Sequence, residues 1–384
     1  MVGVALVKVT LDATAVPASP AGAGRYTVEL AAAFARIDDP RLVVLARRSD
    51  AERWRRLAGG RLDVLASAPS ARPLRLAWEQ LALPGVLRRA RPDVHHGPHY
   101  TMPGRSPVPV VVTIHDCTYF DHPEWHEPTK VRLFRHAIRT AARRAGALVC
   151  VSETTARELA AACRVDVPVV VAPHGVDHER FTPDPPSPGA DDAVLERLGI
   201  DPGGRYVLFL GTVEPRKDVP TLVRAFGALG DEEHDLTLVV AGRRGWGTRP
   251  VDEAVAASRH RDRIVRTGYV PDDAVAALLR KAAVVAYPSL AEGYGLPALE
   301  ALACGAPLVT TRGTAMAELA GDAATLVAPS DPDALAGALA RVLRAAGSAE
   351  AAGRREAGIA RAAACTWEQS AARHAEAYRI AAGK

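Results

Sequence analysis

Continuous apolar runs at residues 2–9, 42–46, 62–65, 108–114, 147–151 and 167–171 are separated by stretches with helical periodicity. Strands buried on both faces read in this way, so the first half is predicted to form a parallel sheet covered by helices. Residues 173–204 then run PHGVD and TPDPPSPGADD, rich in proline, glycine and aspartate, as a connection between domains does. The alternation restarts at 206–210, 236–241, 264–266, 284–287, 307–310 and 325–327, which predicts a second sheet. The last segment, Trp367–Ala382, has a helical pattern. The expectation is an α/β protein: a first domain over 1–178, a linker over 179–204, and a second domain over 205–366. The terminal helix, 367–384, should pack back on the first domain. Two doubly wound, Rossmann-like domains leave a cleft outside the carboxyl ends of their strands, where ligands bind.

Composition narrows the class. A chain of 384 residues, 48% hydrophobic and 24% charged, has enough apolar material for two ordinary cores. Its net charge of +4 is modest and the arginines are scattered, which argues against nucleic acid as a partner. The five cysteines are far apart and lack any Cys-x-x-Cys spacing, so neither a disulfide framework nor a zinc site is expected. The first residues read as a strand, with no signal peptide, and no run reaches eighteen apolar residues. A cytoplasmic protein is expected, with peripheral contact on the inner face of the membrane as a further reading. That reading rests on residues 130–144, KVRLFRHAIRTAARR, a basic helical stretch with apolar Val131, Leu133, Phe134, Ala137 and Ile138. It suits an anionic membrane surface, or equally a solvated helix with a core-facing stripe.

The candidate chemistry is concentrated at 292–300, EGYGLPALE. Gly293 and Gly295 permit turns closed to other residues, and Pro297 suits a first helical position, so a helix is predicted over 297–304. Glu292 then lies in the loop and Glu300 in the first turns. Free N–H groups at the helix start favour an anion such as phosphate, while the carboxylates accept hydrogen bonds from sugar hydroxyls. A second strand-to-helix loop, GTVEPRKD, carries Arg216 and Lys217, two cations suited to a diphosphate. Asp331 and Asp333 precede a helical pattern at 334–343 and read as capping residues, and no metal site is predicted. Gly22 and Gly24 lack the third glycine of a dinucleotide fingerprint, because position 27 is threonine.

Taken with YPSLAEGYGLPALEALACGAPLV, GYVPDDAVAALLRKA and an IHD in the first domain, the chain resembles retaining glycosyltransferases of family 4 with the GT-B fold. The resemblance spans nearly the whole chain and implies a nucleotide-sugar donor with no separate cofactor. It implies that Glu300 holds the ribose hydroxyls and that Glu292 lies at the transferred sugar. The backbone of Gly293, Tyr294, Gly295 and Leu296 would meet the diphosphate and sugar. Tyr269 and Val270 would lie against the base, His115 near the donor sugar, and Gly24 beside the diphosphate. Family members commonly place an arginine after the glycine that ends the first strand of the second domain; here Thr212 follows Gly211, and Arg216 is expected to supply that charge. The usual proline, asparagine, glycine of the interdomain motif reads Pro173, His174, Gly175.

His115, Glu292, Arg216 and Lys217 are the expected catalytic set. The resemblance implies retention of configuration, by front-face displacement or through a covalent adduct on Glu292. The GTVEPRKD and AGAGRYT segments are similar to bacterial mannosyltransferases that use GDP-mannose, although UDP-sugar enzymes share the same features. The acceptor is expected to be a glycan, a lipid-linked sugar or a small molecule of the cell envelope. A non-catalytic nucleotide-sugar-binding subunit and a nucleotide-sugar epimerase of the same architecture are the alternatives.

Overall fold

The computed structural model describes residues 7–37, 39–57 and 60–383. The chain divides into two compact units, residues 1–175 with 366–384 and residues 176–365. Among the described residues the first unit holds a parallel sheet of seven strands. These are β1 (Lys8–Asp12), β2 (Arg41–Arg47), β3 (Asp63–Ala68), β4 (Val94–Gly97), β5 (Val110–Ile114), β6 (Ala147–Cys150) and β7 (Val169–Val171). Their order is β3-β2-β1-β4-β5-β6-β7, so the winding reverses between β1 and β4. The second unit has six: β8 (Arg205–Leu210), β9 (Leu236–Ala241), β10 (Ile264–Gly268), β11 (Val284–Tyr287), β12 (Leu308–Thr311) and β13 (Ala324–Val327). Here the order is β10-β9-β8-β11-β12-β13, and the reversal falls between β8 and β11.

The inner strands are covered on both faces, and β5, β6, β11 and β12 are buried along their whole length, whereas the edge strands β3, β7 and β10 are partly exposed. Residues 2–6 of the first predicted run lie outside the described residues. The strand that periodicity missed is β4, Val-His-His-Gly, where two adjacent polar residues break the apolar pattern. Both imidazoles are nonetheless buried, because the fold supplies partners. His95 Nδ1 lies 3.0 Å from Thr10 Oγ1, and His96 takes part in a longer hydrogen-bonded chain.

The direction of that chain follows from its one pure acceptor. The Ser370 carbonyl, 2.7 Å from His374 Nδ1, requires the proton on that nitrogen. His374 Nε2 must then accept from the Tyr26 hydroxyl at 2.6 Å, and Tyr26 from the Thr113 hydroxyl at 2.8 Å. Thr113 accepts from His96 Nε2–H at 2.8 Å, and His96 Nδ1 from the Tyr378 hydroxyl at 2.8 Å. Every histidine in the chain is neutral, with one ring nitrogen donating and the other accepting. The chain ties the terminal helix Trp367–Ala382 to β4, β5 and the helix Ala23–Phe34. The same junction seats the residue that departs from the interdomain motif: the His174 ring stacks on Trp367 with centroids 5.6 Å apart.

Two expectations are corrected. Residues 179–204 are not a free linker: they belong to the second unit and contain the helix Ala190–Arg197. Asp191 on that helix forms a buried ion pair with Arg280 at 2.6 Å. The change of unit falls between Gly175 and Val176, not at 178. In the basic helix Pro128–Arg144, Val131, Phe134, Ile138, Ala141 and Ala142 face the core, and Leu133, read as part of the stripe, is exposed. Asp331 caps the helix Pro332–Arg344 through the Ala334 N–H at 2.8 Å.

Burial pushes His95, His99 and His374 each down to about 4 from the ordinary 6.5. The unfolded chain therefore binds protons first as pH falls below 6.5, and stability is lost between there and about 4, by about 2 kcal/mol per histidine at pH 5. Amide exchange in the helix Trp367–Ala382 should accelerate strongly between pH 7 and pH 5 after correction for the intrinsic rate. Unchanged protection would contradict the neutral-histidine assignment.

Candidate active site

The second unit's crevice lies where its winding reverses, between the ends of β8 and β11, the place where open α/β sheets bind ligands. Two loops meet there. The first leaves β8 through Gly211 and Thr212 and makes a short turn over Pro215–Lys217. It enters the helix Val219–Leu229 through Asp218, held at φ 45°. A non-glycine residue in that conformation is locally strained, which fits a loop fixed by its surroundings. The second leaves β11 and runs from Pro288 to the helix Leu296–Ala303. The Leu290 N–H donates to the Arg216 carbonyl at 2.7 Å, which fastens one loop to the other. Thr310 and Thr311 of β12 brace the second loop by donating to the carbonyls of Tyr287 and Ser289.

Glu292 is buried between both cations of the first loop. Its Oε1 is bonded to Lys217 Nζ, and its Oε2 lies 2.8 Å from Arg216 Nη1. Arg216 Nε in turn meets Glu214 Oε1 at 2.5 Å. Burial alone would push the Glu292 carboxyl up, but the Arg216 and Lys217 charges hold it down to about 2. Lys217 is displaced downward from its usual range by burial and by Arg216, against the pull of Glu292. The cations expected to face a diphosphate are therefore already matched by two carboxylates, giving a group of four charges with no net charge. Removing one member of a buried pair costs roughly 3–5 kcal/mol, whereas the intact pair adds little net stability. Such a group holds side chains in place more than it holds the fold together.

Positive potential for an anion also comes from the helix start. Gly295 caps the helix Leu296–Ala303 at φ 96°, with Pro297 in the first turn, one residue earlier than the expected 297–304. A Cβ on Gly295 would lie 2.2 Å from Met316 Cγ, so both conformation and space require glycine here. Glu300 lies within this helix and is buried. Tyr294 is buried, and its hydroxyl is hydrogen-bonded to the Cys365 thiol. On the same edge of the sheet, Tyr269 is half exposed after β10, and the Arg243 guanidinium stands 4.4 Å from its ring centroid. Val270 beside it is buried.

Sequence reasoning missed three residues of this site. Tyr287, at the end of β11, is fully buried and its hydroxyl makes no hydrogen bond. Burial, then the Glu300 and Glu292 charges, push its pKa well above the ordinary range, so the hydroxyl stays protonated and can donate a hydrogen bond. The buried hydroxyl of Ser289 is likewise unbonded. Buried polar groups are rarely left so, and both are suited to a ligand hydroxyl or water. Arg243 lay in GRRGWG, a glycine-rich loop after β9 that carried a readable signal.

His115 and Gly24 belong to the first unit. Gly24 lies in the first turn of the helix Ala23–Phe34, and His115 follows β5. His115 Nε2 is 2.7 Å from the Pro98 carbonyl and must carry the proton. Burial lowers its pKa, so the ring is neutral and presents Nδ1 as an acceptor. Among the described residues no group of three or more His, Cys, Asp or Glu is placed to hold a metal ion. None of the described helices is long and apolar enough to cross a membrane.

The profile of the family described as "Glycosyl transferases group 1" matches residues 204–345, and that of "Glycosyltransferase Family 4" matches 20–180. O-antigen chain mannosyltransferase B of Escherichia coli is 30% identical over 309 residues, 80% of this chain and 78% of its own. A D-inositol 3-phosphate glycosyltransferase of Actinosynnema mirum is 36% identical over 48% of this chain and 45% of its own. Sucrose-phosphate synthase of Thermosynechococcus elongatus superposes with a TM-score of 0.77 at 19% identity, over 97% of this chain and 98% of its own. HepE of Anabaena, solved with UDP, gives 0.73 at 18% identity over 97% and 99%. Both sheets and these matches define a glycosyltransferase with the GT-B fold. The chain belongs to glycosyltransferase family 4.

Replacing Gly295 by alanine should destabilise the site by about 1–3 kcal/mol from backbone conformation alone, before the Met316 overlap. Thermal denaturation and turnover of Gly295→Ala check this. Wild-type values for both would contradict the geometry at the helix start.

Proposed function

We propose that the protein transfers a hexose, with mannose favoured, from GDP-mannose to a hydroxyl of a glycan or lipid-linked acceptor, with retention of configuration. The observation that carries this reading is the joining of Arg216, Lys217 and Glu292 at the β8/β11 crevice, beside the glycine-capped helix start. The mannosyltransferase similarity over 80% of the chain supports the sugar and, with it, the donor.

In this reading the donor's diphosphate lies against the helix start at Gly295–Leu296, where free N–H groups and the helix dipole favour negative charge. As the sugar–phosphate bond breaks, charge grows on the leaving oxygen, and Arg216 and Lys217 meet it without being reoriented. Preorganised charge of this kind is usually the largest catalytic contribution, about 2.7–4 kcal/mol per donor where measured. Glu292, ionised at neutral pH, keeps further lone pairs for hydroxyls of the transferred sugar. Glu300 accepts from the ribose hydroxyls, and Tyr269 with Arg243 forms a flat face for the base. The neutral His115 accepts a hydrogen bond at Nδ1 from a hydroxyl of the donor sugar, which is an orienting role. The leaving phosphate oxygen takes the acceptor's proton in a front-face displacement. These groups act without a divalent ion.

Lys217→Ala should lower turnover of GDP-mannose by more than about tenfold, the equivalent of 1.4 kcal/mol. In the wild type, GDP-mannose at a hundred times its dissociation constant should stabilise the protein by about 2.7 kcal/mol, and the UDP and ADP sugars by less. Undiminished turnover in the variant would remove Lys217 from the mechanism. A larger shift with a UDP sugar would replace the donor.

A further inference from the structure

The first unit has its own reversal of winding, between β1 and β4, and a second group of polar side chains gathers there. Asp12 is the last residue of β1, and Thr101 follows β4. Glu79, on the helix Arg72–Leu81, reaches the same place, and its Oε2 accepts from Thr101 Oγ1 at 3.2 Å. The next residue fixes this reach. Gln80 Nε2 donates to the Met102 carbonyl at 3.2 Å, while its Oε1 accepts from the Gly104 N–H at 2.8 Å. Helix and post-β4 loop are therefore clamped together, and the Glu79 side chain is held in one orientation.

Glu79 is only 8% exposed, yet its Oε1 has no hydrogen-bond partner. An unpaired, buried carboxyl oxygen is costly, and a group held there by a dedicated clamp indicates a missing partner. Burial, and then the charge of Asp12, push the Glu79 carboxyl up to about 7. Near neutrality it therefore both donates and accepts. Arg75, one helical turn earlier, is half-buried, attracted to Asp12 and Glu79 and repelled by Arg47 and Arg72. Arg72 is about 10 Å further up the helix from Glu79, by helical rise. A dianionic phosphate set against this carboxyl pair would meet Asp12 at close range. An uncharged polyol would instead hydrogen-bond to both carboxyls.

We propose that Glu79, with Asp12, forms the hydroxyl-recognising wall of an acceptor subsite at the β1/β4 crevice, selecting an uncharged sugar over a phosphorylated acceptor. The proposal rests on the glycosyltransferase reading above and adds the class of acceptor. Glu79 is a specificity residue here and takes no part in breaking the donor bond.

The test uses the full-length protein with GDP-mannose, and uncharged methyl glycosides (α-mannoside, glucoside, galactoside and N-acetylglucosaminide) as acceptor probes against D-inositol 3-phosphate. Transfer to at least one glycoside is expected, with none to the phosphorylated probe. In Glu79→Ala the KM for that glycoside should rise about tenfold, the loss of one buried hydrogen bond, with the KM for the donor unmoved. Glu79→Gln, which keeps the shape and the Thr101 contact, guards against misfolding and should give a smaller rise. The carboxyl carbon resonance of Glu79, assigned by its loss in Glu79→Gln, should shift as the glycoside is titrated. Transfer to the phosphorylated probe alone, an unshifted resonance with all the glycosides, or an unchanged glycoside KM in both variants would overturn the proposal. Slow release of free mannose from GDP-mannose without acceptor separates the two readings: its presence alongside any of those results leaves the transferase reading standing, and its absence with every nucleotide sugar removes that reading first.

Discussion

The second unit's site depends on a group of alternating charges, the buried Glu214, Glu292 and Lys217 with the partly exposed Arg216, which joins two loops that are far apart in sequence. Desolvating four charges brings little or no net stability, so the arrangement makes sense as a positioning device. Lys217 is buried, and burial together with Arg216 works against its charge. Glu292 opposes both effects. The carboxylate that the family resemblance assigns to the donor sugar is thus also the support of the cations.

Both units apply one topological rule. A parallel sheet whose winding reverses opens a crevice at the carboxyl ends of the two central strands, and each unit places unbonded, buried polar atoms there. In the second unit these are the Tyr287 and Ser289 hydroxyls, in the first the Glu79 carboxyl oxygen. In the histidine chain from Tyr378 to the Ser370 carbonyl, by contrast, both ring nitrogens of His96 and of His374 are bonded, and its role is structural: it fastens the terminal helix to the first unit.

Much of this was legible in the sequence. Runs such as 236–241 and 284–287 are apolar because helices cover both faces of the sheet, and that pattern survives without knowledge of partners. The EGYGLPALE turn was legible because Gly295 and Pro297 impose local backbone conformations. What escaped was non-local. The strand β4 was hidden because His95 and His96 look polar until Thr10, Thr113 and Tyr378 are brought to them. The Lys217–Glu292 pair spans 75 residues, and the sequence pointed to two cations free to face an anion when both are already matched. Glu79 was one acidic residue in an amphipathic helix, with nothing local to mark it as buried. Residues 179–204 have the composition of a linker, yet the Asp191–Arg280 pair folds them into the second unit.

A double-mutant cycle on Lys217 and Glu292 tests the positioning role most directly. Turnover of GDP-mannose is measured for wild type, Lys217→Ala, Glu292→Gln and the double variant, each confirmed folded. If Glu292 acts in part by holding Lys217, the losses overlap, and the double variant is less impaired than the product of the single effects by at least about 1 kcal/mol. Losses that add to within about 0.5 kcal/mol would show two independent residues and contradict the account.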